Sequence, residues 1–89
     1  MDELKGTLSR NLVRCRKAAG LTQLQLAEKL NYSDKAVSKW ERGEGLPDVA
    51  VLKALSELYG VSLDYLVTEH EGEKPPRAKE GRRRLVWAL

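Results

Sequence analysis

An all-α fold is predicted for this chain of 89 residues, with five short helices and a tail. Three observations support it. Apolar residues recur at spacings of three and four, the period of a helix with one buried face. Alternating runs of β-branched residues, which would indicate strands, are absent from the sequence. The length fits one small domain, which we assign to residues 1–67, followed by an appended segment, residues 68–89.

The first helix is expected from about Leu8 to Ala19. Leu8, Leu12, Cys15 and Ala19 form one apolar stripe along it. Gly20 follows directly, and glycine is common just after the end of a helix. We therefore expect this stripe to face the core, with the lone cysteine as a small buried side chain.

Two short helices joined by a tight polar turn are expected in residues 21–43. Thr22 and Gln25 have the spacing of a capping box, which begins the second helix. Asn31 readily adopts a left-handed backbone and begins the turn. Ser33 is a suitable N-cap for the third helix.

Two further helices complete the predicted domain. Asp48 is the expected N-cap of the fourth helix, and Gly60 ends it. Ser62 is the expected N-cap of a short fifth helix that runs through about Val67. Leucines at helical spacing give both helices an apolar side for the core.

The composition changes after Val67. Between Glu69 and Arg84 the one apolar residue apart from the prolines is Ala78. Such a stretch cannot bury enough surface to order itself, so we predict a flexible basic tail.

Three arginines followed by an apolar pentad end the sequence, at residues 82–84 and 85–89. This order resembles the cytoplasmic flank of a membrane helix. One hypothesis is therefore that the chain is a fragment of a longer membrane-anchored protein, and residues 68–89 include a juxtamembrane stub. The alternative is that the apolar end packs on its own domain or on a second subunit as an interaction segment.

Charge is distributed unevenly along the chain, although the net charge is only +3. Residues 5–42 carry nine Lys/Arg against three Asp/Glu, residues 44–73 carry one against seven, and residues 74–89 carry six against one. A chain polarised in this way can direct one end toward a polyanion such as nucleic acid. Ordinary solvated surface charge is the alternative.

Composition argues against several classes of function. One cysteine allows no intramolecular disulfide, and no Cys/His cluster indicates zinc. The single histidine, His70, lies in the predicted tail, so no His-based catalytic triad is expected in the domain. We expect no enzyme activity, no metal and no cofactor. Without a signal-like or membrane-spanning apolar stretch, a reducing, cytoplasmic setting is expected.

The third helix has two chemically different sides when its residues are placed at intervals of about 100°. The inward set is Ser33, Ala36, Val37 and Trp40. The outward set is Lys35, Ser38, Lys39 and Arg42, with Asp34 at its edge. Such cations can neutralise phosphates or donate to guanine, and a serine can donate or accept at base edges. A solvated, charged helix face is the alternative.

Several short pieces of this sequence together carry a family resemblance. They are Leu21-Thr22-Gln23, Leu26-Ala27, Ser38-Lys39-Trp40-Glu41-Arg42-Gly43, Pro47 and Gly60-Val61-Ser62. With them, residues 8–67 strongly resemble the Cro/phage-repressor type of helix-turn-helix domain, the XRE family. The resemblance implies a compact, lambda-repressor-like fold of five helices. It also implies transcription regulation, and dimeric binding to inverted repeats in double-stranded DNA.

The resemblance also implies roles for individual residues. Asp34, Lys35, Ser38 and Lys39 match the positions that read bases. Asp34 could accept from cytosine N4 or only stabilise the start of the helix. Gln23 matches the glutamine that commonly touches a DNA phosphate and braces the recognition helix.

Other positions match backbone contacts and supports. Arg42 matches a backbone-contact position, and we add Ser33, the cap of the third helix, to the backbone set. Arg16 and Glu41 match a pair that commonly bridges helices one and three, and the angular position of Trp40 places it in the core. The acidic Glu44 departs from relatives that carry phosphate-contacting bases in this loop.

The sequence therefore predicts a sequence-specific regulator of transcription, more often a repressor, that reads the major groove with its third helix. A homodimer on DNA is the expected assembly, and no cofactor is needed. The alternative is a cytoplasmic protein-interaction module of a membrane-anchored adaptor with the same fold. Membrane attachment enters only if the chain is a fragment.

Overall fold

The computed structural model describes residues 2–70, which form an all-helical domain. Its helices are α1 (Asp2–Ala18), α2 (Gln23–Leu30), α3 (Asp34–Glu41), α4 (Val49–Tyr59) and α5 (Leu63–Leu66). Helix α3 packs against α1 and α2, and α5 packs against α1 and α4. The predicted fold class of five helices is confirmed.

The core is formed by the apolar sides of all five helices. Its buried apolar members are Leu8, Leu12, Cys15, Leu26, Ala27, Val37, Trp40, Val51, Leu55, Tyr59 and Leu66. The stripe predicted for α1 is therefore buried, apart from a half-buried Ala19 just after the helix. Burial raises the pKa of the Cys15 thiol to about 11, with a smaller opposing effect of the Arg14 charge. At neutral pH this cysteine is an uncharged, small core side chain.

The start of α1 differs from the sequence-based prediction. The helix begins at Asp2, whereas the prediction placed its start near Leu8. The apolar stripe marks only the part of a helix that packs on the core, and the first turns of α1 are largely polar. Thr7 is nevertheless buried, and its hydroxyl has a partner: it donates to a carboxylate oxygen of Glu69 at 2.8 Å.

The predicted N-caps of α2 to α5 are confirmed. In the capping box, the Gln25 N–H donates to Thr22 Oγ1 at 3.0 Å, and the Thr22 N–H donates to Gln25 Oε1 at 2.9 Å. The three other side-chain caps are Ser33, Asp48 and Ser62. Each accepts a backbone N–H of the first turn that would otherwise lack a partner.

A left-handed residue makes the turn between α2 and α3. Asn31 has φ 62°, the one non-glycine residue with positive φ in the described part of the chain. The next N–H, from Tyr32, donates to the Ala27 carbonyl at 2.9 Å. This hydrogen bond ends α2. Ser33, the next residue after Tyr32, then caps α3. The two helices are thus joined through three residues, as the sequence predicted.

The segment after α5 is bound to α1. Asn11, which is buried, donates through Nδ2 to the carbonyls of Leu66 and Thr68 at 2.8 and 2.9 Å. Glu69 accepts hydrogen bonds from Thr7 and Arg10. The tail predicted from residue 68 thus begins with residues held against the domain.

His70 belongs to the same contact region. Its carbonyl accepts from Arg14 Nη1 at 2.9 Å, and its ring stacks on that of Tyr65 with 3.7 Å between centroids. The remainder of the predicted tail, residues 71–89, lies outside the described residues. That part includes the arginines and the apolar end on which the membrane-flank hypothesis rests.

Candidate nucleic-acid interface

The outward side of α3 is open to solvent. Asp34, Lys35 and Lys39 are exposed, and Ser38 is half-buried. All four side chains predicted to read bases therefore lie on a surface that a ligand can reach. The structure brings them together on one short helix with a basic residue, Arg42, at its end.

The inward side of α3 fixes the helix on the core. Val37 is fully buried, Trp40 is 8% exposed and Ala36 is half-buried, as expected from the helical angles. Ser33 was wrongly assigned to the inward set: it is exposed, because its backbone is extended at the N-cap and the helical angles do not apply to it. The Trp40 ring also contacts the Tyr32 ring, with 5.5 Å between centroids and 59° between planes. This tilted aromatic pair links the turn before α3 to the helix itself. The sequence gives no sign of this pair, because Tyr32 lies in the turn, outside the helical periods that mark the core.

A polar network connects α1, the start of α2 and the end of α3. Arg16 donates to both carboxylate oxygens of Glu41, from Nε at 2.7 Å and from Nη2 at 3.0 Å. Its Nη1 donates to the Leu21 carbonyl at 2.8 Å, and Gln23 Nε2 donates to Glu41 Oε1 at 2.9 Å. The ion pair is largely buried, with side-chain exposures of 13% for Arg16 and 5% for Glu41. A bidentate pair of this kind fixes direction as well as distance.

The pKa of Arg16 is raised, chiefly by its hydrogen bond to Glu41, against the opposing effect of burial. Arg16 therefore stays charged throughout the range in which the protein is folded. The bridge expected between Arg16 and Glu41 is present in the structure. The network extends to Gln23, which joins the start of α2 to the same carboxylate, in line with the bracing role expected of this glutamine.

Gln23 lies at the first position of α2, where backbone N–H groups are open to an anion. A glutamine amide has two N–H donors, and the contact with Glu41 uses one of them. Ser33 lies at the equivalent boundary of α3, and its hydroxyl oxygen accepts the Ala36 N–H at 3.1 Å. Two of the three predicted backbone-contact residues, Gln23 and Ser33, thus lie at helix N-termini, where a phosphate would be favoured electrostatically.

Arg42 is held at the end of α3 by an acid. Its Nε and Nη2 each donate to Glu44, both at 3.0 Å, so the carboxylate occupies the guanidinium fork. Its Nη1 donates to the Ser38 hydroxyl. The pKa of Glu44 is lowered, first by the Arg42 hydrogen bond and then by the Arg42 charge. Glu44 is therefore an anion at neutral pH, placed beside a residue that was predicted to contact DNA.

The comparisons with known proteins agree with this geometry. A family model described as helix-turn-helix matches residues 12–66, which contain the last seven residues of α1 and all of α2 to α5. The chain belongs to the XRE-type helix-turn-helix family. Its relatives in that family are named as transcriptional regulators.

Three relatives illustrate the range of the helix-turn-helix family. The HTH-type transcriptional activator BcrR of Enterococcus faecalis is 43% identical over 60 residues, 67% of this chain and 29% of that protein. The HTH-type transcriptional regulator ImmR of Bacillus subtilis is 43% identical over 68 residues, 76% of this chain and 54% of that protein. The cryptic phage CTXphi transcriptional repressor RstR of Vibrio cholerae is 34% identical over 59 residues, 66% of this chain and 53% of that protein. The matched segment thus covers less than a third of the length of the first relative and about half of the length of the other two.

Within residues 2–70, no group of three or more His, Cys, Asp or Glu side chains is placed to hold a metal ion. In that range, too, no helix combines the length and the apolar character that crossing a membrane requires. The candidate interface is the outward surface of α3, which is held by its buried side and by the Arg16–Glu41 bridge.

Proposed function

We propose that this helix-turn-helix domain binds double-stranded DNA in a sequence-specific manner and inserts α3 into the major groove. The observation that carries the proposal is the outward face of α3, where Lys35, Ser38 and Lys39 lie on a helix locked to the core. An α-helix fits the major groove, and Lys and Ser side chains there can pair with base edges. The family named above supports the same reading.

We assign roles within this proposal by chemistry and position. Lys35, Ser38 and Lys39 read base edges, and Asp34 is placed to accept from cytosine N4. Gln23 and Ser33, at the helix N-termini, contact phosphates together with Arg42. The supports, Arg16, Glu41 and Trp40, set the angle of α3 and make no DNA contact themselves.

The assembly on DNA is proposed to be a homodimer. Two copies would present their α3 helices about 34 Å apart, one turn of the duplex, and would recognise an inverted repeat. We propose repression as the result, because a bound domain can exclude polymerase without any contact except that with DNA. We propose the cytoplasm as the site of action, because the three relatives named above are regulators of bacteria.

Selection of bound sequences from a random DNA pool tests the proposal. We expect enrichment of an inverted repeat. The spacing between its two half-sites should equal about one turn of the duplex if two copies bind as a dimer. Binding should weaken steeply as salt rises, because several cations replace counterions on the phosphates. Failure to enrich any sequence at low salt would refute DNA binding and would favour the interaction-module alternative.

Lys39→Ala tests the role of α3 on the selected operator. We expect a loss of about 1–3 kcal/mol in binding free energy and a relaxed preference at one or two base pairs. Lys53→Ala is the matched control, since Lys53 is an exposed lysine on α4 that pairs with Glu57 at 2.7 Å. If Lys39→Ala binds with the same affinity and the same selectivity as the wild type, Lys39 does not read bases.

A further inference from the structure

The end of α3 places Glu44 at a fixed distance from Arg42. Gly43, with φ 75°, takes the left-handed backbone that ends the helix. The Gly43 N–H then donates to the Trp40 carbonyl at 3.1 Å, and the Glu44 N–H donates to the Lys39 carbonyl at 3.0 Å. These are the two hydrogen bonds of a Schellman motif. The two hydrogen bonds thereby fix the position of the Glu44 backbone relative to the end of α3, where Arg42 lies.

The pair formed there faces the solvent. The side chains of Arg42 and Glu44 are 54% and 55% exposed, and α3 carries its reading face on the preceding two turns. The carboxylate binds the fork through two parallel N–H donors. A DNA phosphate would bind a guanidinium in the same planar, bidentate way. One fork cannot hold both partners at once.

We propose that Glu44 is an internal competitor for the phosphate site of Arg42 and lowers the affinity of the domain for DNA of any sequence. The inference rests on the proposed function and adds to it a residue that tunes affinity. A phosphate that binds the Nε–Nη2 edge of Arg42 must displace the carboxylate from it. Because phosphates are the same in every sequence, the effect changes overall affinity and leaves the ratio between specific and non-specific binding unchanged.

The salt dependence gives the proposal a distinct signature. While Glu44 neutralises Arg42, this arginine does not contact a phosphate and therefore releases no counterion from the DNA. Once the acid is removed, one more cation contacts a phosphate, and the slope of log K against log salt becomes more negative by about 0.9. A change in net charge alone, at a distance from the duplex, would not add a discrete contact.

Glu44→Gln is the test variant, and Glu57→Gln is its matched control. Both remove one negative charge from an exposed ion pair, and Glu57 pairs with Lys53 on α4. We expect Glu44→Gln to bind the selected operator and a scrambled duplex about three- to tenfold more tightly at low salt, with the steeper slope given above. Glu57→Gln should change neither quantity by more than the shared effect of net charge.

An Arg42→Ala background completes the experiment. There, Glu44→Gln should have no effect beyond that of Glu57→Gln, because the fork for which the acid competes is gone. Thermal unfolding by circular dichroism verifies that each variant is folded. A Glu44→Gln protein that binds no more tightly than Glu57→Gln, or that gains equally in the Arg42→Ala background, overturns the inference while DNA binding stands. A wild type that binds no DNA overturns both.

Discussion

At the scale of single residues, Glu41 determines how α3 is held. Its carboxylate accepts from Arg16 and from Gln23, so one side chain joins α1, α2 and α3. A largely buried carboxylate costs free energy unless it is paired, and here it is paired through a bidentate contact. The orientation of the candidate reading helix therefore depends on a residue that is absent from its outer face.

Glu41→Gln should destabilise the domain by about 3 kcal/mol, because the Arg16 guanidinium would remain largely buried without its counter-charge. The free energy of unfolding, measured with urea, checks this. Glu57→Gln is again the matched control: its pair with Lys53 is exposed, and we expect a loss of no more than about 0.5 kcal/mol. A loss for Glu41→Gln as small as that of the control would contradict a supporting role for the bridge.

At the scale of elements, the α2–α3 junction depends on one backbone conformation. Asn31 has φ 62°. This conformation lets the N–H groups of Asn31 and Tyr32 donate to carbonyls in the last turn of α2, which ends the helix. β-branched side chains are disfavoured there, whereas glycine adopts it freely. The angle between the two helices is thus encoded in a residue that makes no core contact.

Asn31→Val should cost about 1–2 kcal/mol in the free energy of unfolding, and Asn31→Gly should stay within about 0.5 kcal/mol of the wild type. Chemical denaturation of the three proteins gives the comparison. Equal stabilities of the valine and glycine variants would show that the turn does not require a left-handed residue.

At the scale of the whole molecule, α1 binds the segment that follows α5. The sequence separation is large, since Thr7 and Arg10 contact Glu69 across 62 and 59 residues. Asn11 adds hydrogen bonds to the backbone at the end of α5. The described chain is thus closed on itself by polar contacts around a small apolar core.

The contact between α1 and Glu69 predicts a pH dependence of stability. The pKa of Glu69 is lowered from its ordinary value of 4.5, first by the Thr7 hydroxyl and then by Arg10. A carboxyl whose pKa is lower in the folded state stabilises that state above the unfolded pKa. The contribution is therefore fully present above pH 4.5 and is lost as the pH falls through the lowered value.

A carbon-detected NMR titration of the Glu69 carboxyl tests this. We expect a midpoint below 4.5 in the wild type and a shift back toward 4.5 in Thr7→Val, which keeps the shape of the buried side chain without its donor. Urea unfolding of Glu69→Gln should depend less on pH than that of the wild type between about pH 5 and pH 3. A wild-type midpoint at or above 4.5 would mean that the contact does not form in solution.

Local features were predictable from the sequence because their causes are local. The caps at Thr22, Ser33, Asp48 and Ser62 depend on residues three positions apart. The inward and outward sides of α3 follow from the helical period alone. The start of α1 was misplaced because its first turns have little apolar patterning by which a helix could be recognised.

What the sequence by itself determined is the all-α fold, the N-caps of α2 to α5, the buried stripe and the set of polar residues available on α3. Only the tertiary structure decided how those residues are paired. Gln23 with Glu41 and Thr7 with Glu69 are choices among many possible polar partners. The physical reason is that helix period and capping act within a few residues, whereas a hydrogen bond between distant residues depends on how the core brings their helices together.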